Sequence, residues 1–328
     1  MLSDKEIVCP NNLLDVAHQK KGVSAGIVNA GKLITMMSVM DAVNENLIIP
    51  IFIGDQEEIE KCALDLNFDI SSFDIIDEKE ENKTSIIAAE LASKEKIKII
   101  VKGHIHTDVL MREVIKKKYN LIGKTRLSHI WHMTLDKQDK PLIITDGALN
   151  VSPNVKTKMH ILKNVINFCK RIGNERPKIS ILSATEEVLD SVQSSLDAKE
   201  ITELAKKENL SADVFGPLAF DNSISKKSAE IKGITNIVAG SADVLLVPSV
   251  ESGNALVKIM VYFMGACAAG VVVGGKVPIV ITSRSDVATA RFCLLYTSPS
   301  PRDQRGSRIP ACALKKKGGG GGGGGGGG

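Results

Sequence analysis

Leu47-Ile-Ile-Pro-Ile-Phe-Ile53, stopped at Gly54-Asp55, is an apolar run with no polar alternation. A strand with one face in the core alternates apolar and polar residues. A continuous run fits a strand buried on both faces, in a parallel sheet covered by helices. Helical spacing flanks it, over 33–46 before and 57–67 after. The same alternation continues outward. Strands are expected at 23–30, 73–76, 97–103, 127–135, 141–147, 178–182, 212–217, 242–247, 270–274 and 277–282. Helices are expected at 1–22, 84–94, 109–118, 156–172 and 255–266. Thr107 or Asp108 suits the N-cap of the 109–118 helix, and Ser183 to Glu187 has helix-start chemistry. Strands alternating with helices predict an α/β fold of two α/β domains, with mostly parallel sheets and an inter-domain cleft. The first domain is expected over 1–150 and rejoined by about 276–293; the second occupies 151–275.

Composition agrees with that class. The chain has 328 residues, 43% hydrophobic but only 4% aromatic, so the core must be Ile, Val, Leu and Ala. The net charge of +4 is local in origin. Residues 294–328 hold Arg302, Arg305, Arg308 and three Lys against Asp303, a net of +5, which leaves the rest at −1. A near-neutral body gives no reason to expect a nucleic-acid partner. The tail ends in Lys315 to Lys317 and eleven Gly, and the stretch before them resembles a translated sequencing adapter. Residues 294–328 are expected to be a non-native, disordered read-through tail. The six Cys form no CxxC pair and the start is polar, so reduced thiols and a cytoplasmic location are expected. The most apolar run, 259–273, is too short to span a membrane, and reads as a buried helix followed by a buried strand.

Polar residues gather at the ends of several strands, where ligands bind in open α/β sheets. Pro278-Ile-Val-Ile-Thr-Ser283-Arg284-Ser285-Asp286 is the most pronounced case. Arg284 offers forked donors suited to a phosphate or carboxylate. Asp286 can accept a proton or cap a following helix. Glu251-Ser-Gly-Asn254, with Lys258 one turn on, reads as a helix start with an anion-binding face, or as a helix end with a solvated Lys. Lys102-Gly-His-Ile-His-Thr107 closes another strand, and Lys102 and Arg126 suit an anion. His104, His106, His129 and His132 are a weak metal set: no Cys or carboxylate lies at ligand spacing and Arg126 adjoins them. No metal site is expected. Asp146-Gly147 with Asn150 and Asn154, and Asp221-Asn222, are further clusters that turn chemistry alone can explain. GxGxxG, GxxxxGK[ST] and GxSxG are all missing.

At these residues the sequence resembles the phosphate acetyltransferase and phosphate butyryltransferase family, nearer the butyryl branch. The stretches are Val101-Lys-Gly-His-Ile-His-Thr107, Leu127-Ser-His129, Thr145-Asp-Gly-Ala148, Gly216-Pro-Leu-Ala-Phe-Asp-Asn222, Gly240 to Pro248, Gly253-Asn254 with Lys258, Ala269 to Gly274, and Thr282-Ser-Arg-Ser-Asp286. The resemblance implies reversible transfer of a short acyl group between coenzyme A and inorganic phosphate. It also implies coenzyme A as co-substrate with no tightly bound cofactor, acyl-CoA and phosphate as small-molecule partners, and a homo-oligomer with its site in the cleft. Carried over residue by residue, it makes Ser283 the group that orients the CoA sulfur and Arg284 the grip on the phosphoryl or acyl oxygen. The acetyltransferase branch has an aspartate seven residues after the motif serine, where this chain has Ala290, so Asp286 is taken as the base. Lys102, Thr107, Arg126, Asn254 and Lys258 are the expected substrate contacts. The alternatives are a metal- and nicotinamide-dependent hydroxyacid dehydrogenase on a similar scaffold, and a non-catalytic CoA- or phosphate-binding module.

Overall fold

A computed structural model describes residues 2–3, 22–135 and 140–281. The helix expected over 1–22 and the stretch 282–286 lie outside the described residues. The apolar run at 47–53 is β2 (Ile48–Gly54), paired in parallel with β1 (Val23–Val28) and β3 (Asp74–Asp77). The other strands are β4 (Ile99–Lys102), β5 (Ser128–Thr134), β6 (Leu142–Thr145), β7 (Lys178–Leu182), β8 (Asp213–Leu218), β9 (Val244–Leu246), β10 (Cys267–Val273) and β11 (Ile279–Val280). All eleven form one sheet, in the order β3-β2-β1-β4-β11-β10-β5-β6-β9-β7-β8. The first five are mutually parallel, and so are the last four. β10 and β5 join the two blocks through antiparallel pairings. The two strand series therefore meet in a single sheet, with β10 and β11 inserted between β4 and β5.

The helices are α1 (Leu33–Asn44), α2 (Gln56–Asp65), α3 (Glu81–Ser93), α4 (Thr107–Val114), α5 (Val155–Arg171), α6 (Gln193–Lys207), α7 (Phe220–Ile224), α8 (Lys226–Ile231) and α9 (Val250–Met264). Strand periodicity sorts the core into two sides. On one side Ile27, Phe52 and Val101 pack with α1 and α2, while Ile130, Ile143 and Val271 pack with α5 and α6. On the other, Val28, Ile53 and Ile100 pack with α3 and α4, while Met133, Ile144 and Ala268 pack with α9. Local chemistry fixes the helix starts. Asp55 accepts from the N–H groups of Glu57 and Glu58 to cap α2, and Asn154 accepts from that of Thr157 to cap α5.

Three local expectations need correction. The cap residue of α4 is His106, so Thr107 and Asp108 are its first two helical residues. Ser183 to Glu187 do not start a helix; α6 begins at Gln193, after an irregular connection. The helix expected from residue 255 begins at Val250 instead. The 259–273 run is helix then strand, but α9 is not buried all round: Ile259, Tyr262, Phe263 and Met264 are exposed. No helix among the described residues is long and apolar enough to cross a membrane.

Candidate functional site

The middle of one sheet face, between α4 and α9, gathers most of the polar residues picked out from sequence. Carrying the register one residue past β4 and β11 sets Lys102, Ile281, Gly270 and Trp131 in one row across the sheet. Lys102 points to this side, because Ile100 two residues earlier packs with α3 and α4. It is only 3% exposed, with Nζ 3.4 Å from the Gly103 carbonyl oxygen. Gly103 cannot carry a side chain there: a Cβ would lie 2.4 Å from the carbonyl oxygens of Val28 and Asn29. The chain then turns through His104, buried Ile105 and His106 into Thr107. The His106 ring approaches Glu81 at 3.0 Å, which ties this turn to α3.

Asp146 is the organising carboxylate on the α9 side. It is buried at the end of β6 and accepts from the N–H groups of His129, Ala148 and Leu149 and from Asn150 Nδ2. Two donors on each oxygen fill its acceptor capacity. What sequence read as a turn signal is thus a buried charge held by neutral donors. The loop it shapes brings Gly147 against α9, where a Cβ on Gly253 would sit 2.9 Å from the Gly147 Cα. Asn254 Nδ2 lies 3.5 Å from the Gly147 carbonyl oxygen, and Lys258 is exposed one turn further along. The Gly253 N–H already donates to the Ser249 carbonyl. Asn254 and Lys258 therefore act from a helix side; the N–H groups at the helix start are those of residues 249–252, where Ser249 and Ser252 cap each other and the Val250 N–H donates to the Val151 carbonyl.

His129 and Trp131 share this face with Met133, by the alternation of β5. Their ring centroids are 4.6 Å apart. Among the described residues, four buried side-chain polar atoms lack a hydrogen-bond partner, and three are here: Nδ1 and Nε2 of His129, and Nε1 of Trp131. Burial pushes the His129 pKa down to about 4, against a smaller upward pull from Asp146, so the ring is neutral. Each unpaired buried group costs about 1–3 kcal/mol. From sequence, His129 was a weak metal candidate and part of the family-like stretch Leu127-Ser-His129, and Trp131 was passed over; the alternation of β5 was the available signal.

Other expected residues lie elsewhere. Arg126 Nη1 bonds to Thr157 Oγ1 at 3.2 Å, on α5 and so on the opposite side of the sheet from Lys102. His132 faces away from His129 on β5, and no group of three or more His, Cys, Asp or Glu converges among the described residues. Ser283, Arg284 and Asp286 lie outside the described residues. The chain reaches them from Ile281, next to Lys102 on one side and Gly270 on the other.

A family model described as phosphate acetyl/butaryl transferase matches residues 79–292. The chain is 38% identical over 279 residues to a phosphate acetyltransferase of Rickettsia felis, covering 84% of this chain and 80% of the relative. It is 35% identical to a phosphate butyryltransferase of Clostridium acetobutylicum, covering 76% and 83%. The structure resembles a crystal structure of a branched-chain phosphotransacylase from Enterococcus faecalis, with a TM-score of 0.74, 29% identity, and coverage of 84% and 97%.

Proposed function

The chain belongs to the phosphate acetyl/butyryl transferase family, and from that membership we infer an enzyme that moves a short acyl group reversibly between coenzyme A and inorganic phosphate. In the direction from acyl phosphate, the CoA sulfur adds to the acyl carbon. A tetrahedral oxyanion forms, then the carbon–oxygen bond to phosphate breaks, leaving acyl-CoA and inorganic phosphate. A free thiol has a pKa of about 8.5, so a base must take its proton, and the oxyanion and departing phosphate need positive charge. Asp286 is that base, Ser283 orients the sulfur, and Arg284 holds the oxyanion or phosphoryl oxygens. Lys102, Thr107, Asn254 and Lys258 serve as substrate contacts. Arg126 takes a more distant role, since it faces α5.

The observation that carries these roles is the course of β11. It runs in the centre of the sheet beside β4 and brings the chain, at Ile281, level with buried Lys102, one residue before Thr282-Ser-Arg-Ser-Asp286 in the sequence. Coenzyme A is a co-substrate in this reading, with no tightly bound cofactor. A cytoplasmic homo-oligomer is the form we propose. The two-domain division is proposed with β5 and β6 grouped with the later strands they adjoin, instead of with residues 1–150, and with the site between the parallel blocks. The family match stops at 292, which supports treating 294–328 as foreign. The test is Arg284→Ala: CoA-dependent phosphate release from an acyl phosphate should fall at least ~100-fold, the scale of one lost oxyanion donor. Unchanged turnover would remove Arg284 from the mechanism.

A further inference from the structure

We propose that His129 and Trp131 form a polar floor of the acyl-CoA site, offering ring N–H groups to uncharged carbonyl oxygens of that substrate; the inference rests on the transferase reading above. Native proteins leave few buried polar side-chain atoms unpaired. Here three of the four such atoms among the described residues belong to two touching rings. The fold makes room for the pair. A Cβ at Gly270 would lie 2.8 Å from His129 Cε1 and 2.8 Å from Trp131 Cζ3, and one at Gly147 would lie 3.3 Å from Trp131 Nε1. Gly270 is also in the row that holds Lys102 and the end of β11. Trp131 is partly buried and His129 wholly so, which makes Trp131 the side of the pair nearer solvent, although its Nε1 is itself covered.

Charge selects the ligand chemistry. The nearest ionised group placed by these contacts is Asp146, whose partners are all uncharged donors. Its field disfavours a phosphate beside His129, and its filled oxygens leave no position for a cation. A neutral imidazole presents one N–H and one acceptor, and the indole presents one N–H. That set matches neutral carbonyl oxygens. Acyl-CoA has two kinds, the thioester carbonyl and the amide carbonyls of the pantetheine arm.

The test compares Trp131→Phe, His129→Leu and His129→Gln with the wild type, by acyl-CoA kinetics, thermal unfolding, and calorimetry with desulfo-CoA. Trp131→Phe and His129→Leu should lower kcat/KM for acyl-CoA at least ~10-fold, the scale of a lost hydrogen bond. Their unfolding midpoints should stay level or rise, because an unpaired buried group has gone. His129→Gln should recover much of the loss. Desulfo-CoA keeps the amides but lacks the thioester. Weaker desulfo-CoA binding by Trp131→Phe would assign the amides, and unchanged binding with reduced turnover would assign the thioester; either supports the proposal. Wild-type turnover with both apolar variants within twofold would overturn it and leave the transferase reading standing. So would activity losses that track lowered midpoints without rescue by Gln. A wild type with no turnover would instead remove the transferase reading, and this inference with it.

Discussion

Gly270 shows how tightly the centre of the sheet is built. Its missing side chain leaves the space against β10 that the His129 and Trp131 rings fill. Gly270→Ala should destabilise the fold by about 1–3 kcal/mol through overpacking, measured by urea denaturation. A stability equal to wild type would mean the rings move aside freely. Single residues were unevenly legible in the sequence. Lys102 stood out as a charge at the end of an apolar run, but its burial follows from its central place in the sheet, between β1 and β11, which no local pattern records. Asp146 looked like turn chemistry because its donors come from β5 and the following loop, and no local pattern records that convergence. Lys102 and Arg126 seemed a natural cationic pair, yet alternation and the position of α5 send them to opposite sides of the sheet.

Elements were legible in kind and less so at their ends. The continuous run of β2 and the amphipathic pattern of α5 are strong, period-based signals, and both elements formed where expected. α9 was expected five residues late because Glu251-Ser-Gly-Asn254 reads as the segment that opens a helix, whereas it lies inside one. The contact of Gly253 with Gly147 is what requires glycine inside that helix. Residues 183–187 carry helix-start chemistry without a helix; Glu186 is instead engaged by Lys232 and Asn222. α5 is tied to α6 by an ion pair, Lys158 Nζ to Asp197 Oδ2 at 2.8 Å, with the two side chains 5% and 13% exposed. Removing one partner of a buried pair strands the other charge. Asp197→Ala should therefore cost about 3–5 kcal/mol in a denaturation experiment. A loss typical of a surface pair, below about 1 kcal/mol, would show that Lys158 finds water.

At the scale of the molecule, the α/β class was readable from the alternation of elements, whereas the strand order was not. Local periodicity carries no record of direction, so the antiparallel β10 and β5 that weld two parallel blocks into one sheet were invisible. That weld buries two histidines, with consequences for acid stability. Burial lowers the pKa of both His129 and His132 to about 4 from an ordinary 6.5. The unfolded chain takes up protons below 6.5, while the native rings resist until about 4, so acid pulls toward unfolding. Stability should be fully present above 6.5 and fall by about 1.4 kcal/mol per pH unit for each ring down to 4. Urea midpoints across that window would test it, and His132→Gln should halve this contribution; a flat profile would contradict the burial. The central claim is the chemistry. The most direct measurement is phosphate-dependent release of CoA thiol from acetyl-, propionyl- and butyryl-CoA, with the acyl phosphate product identified. The account predicts that thiol release and acyl phosphate appear together and only when phosphate is present. Folded protein that releases no CoA from any of the three in the presence of phosphate would contradict it.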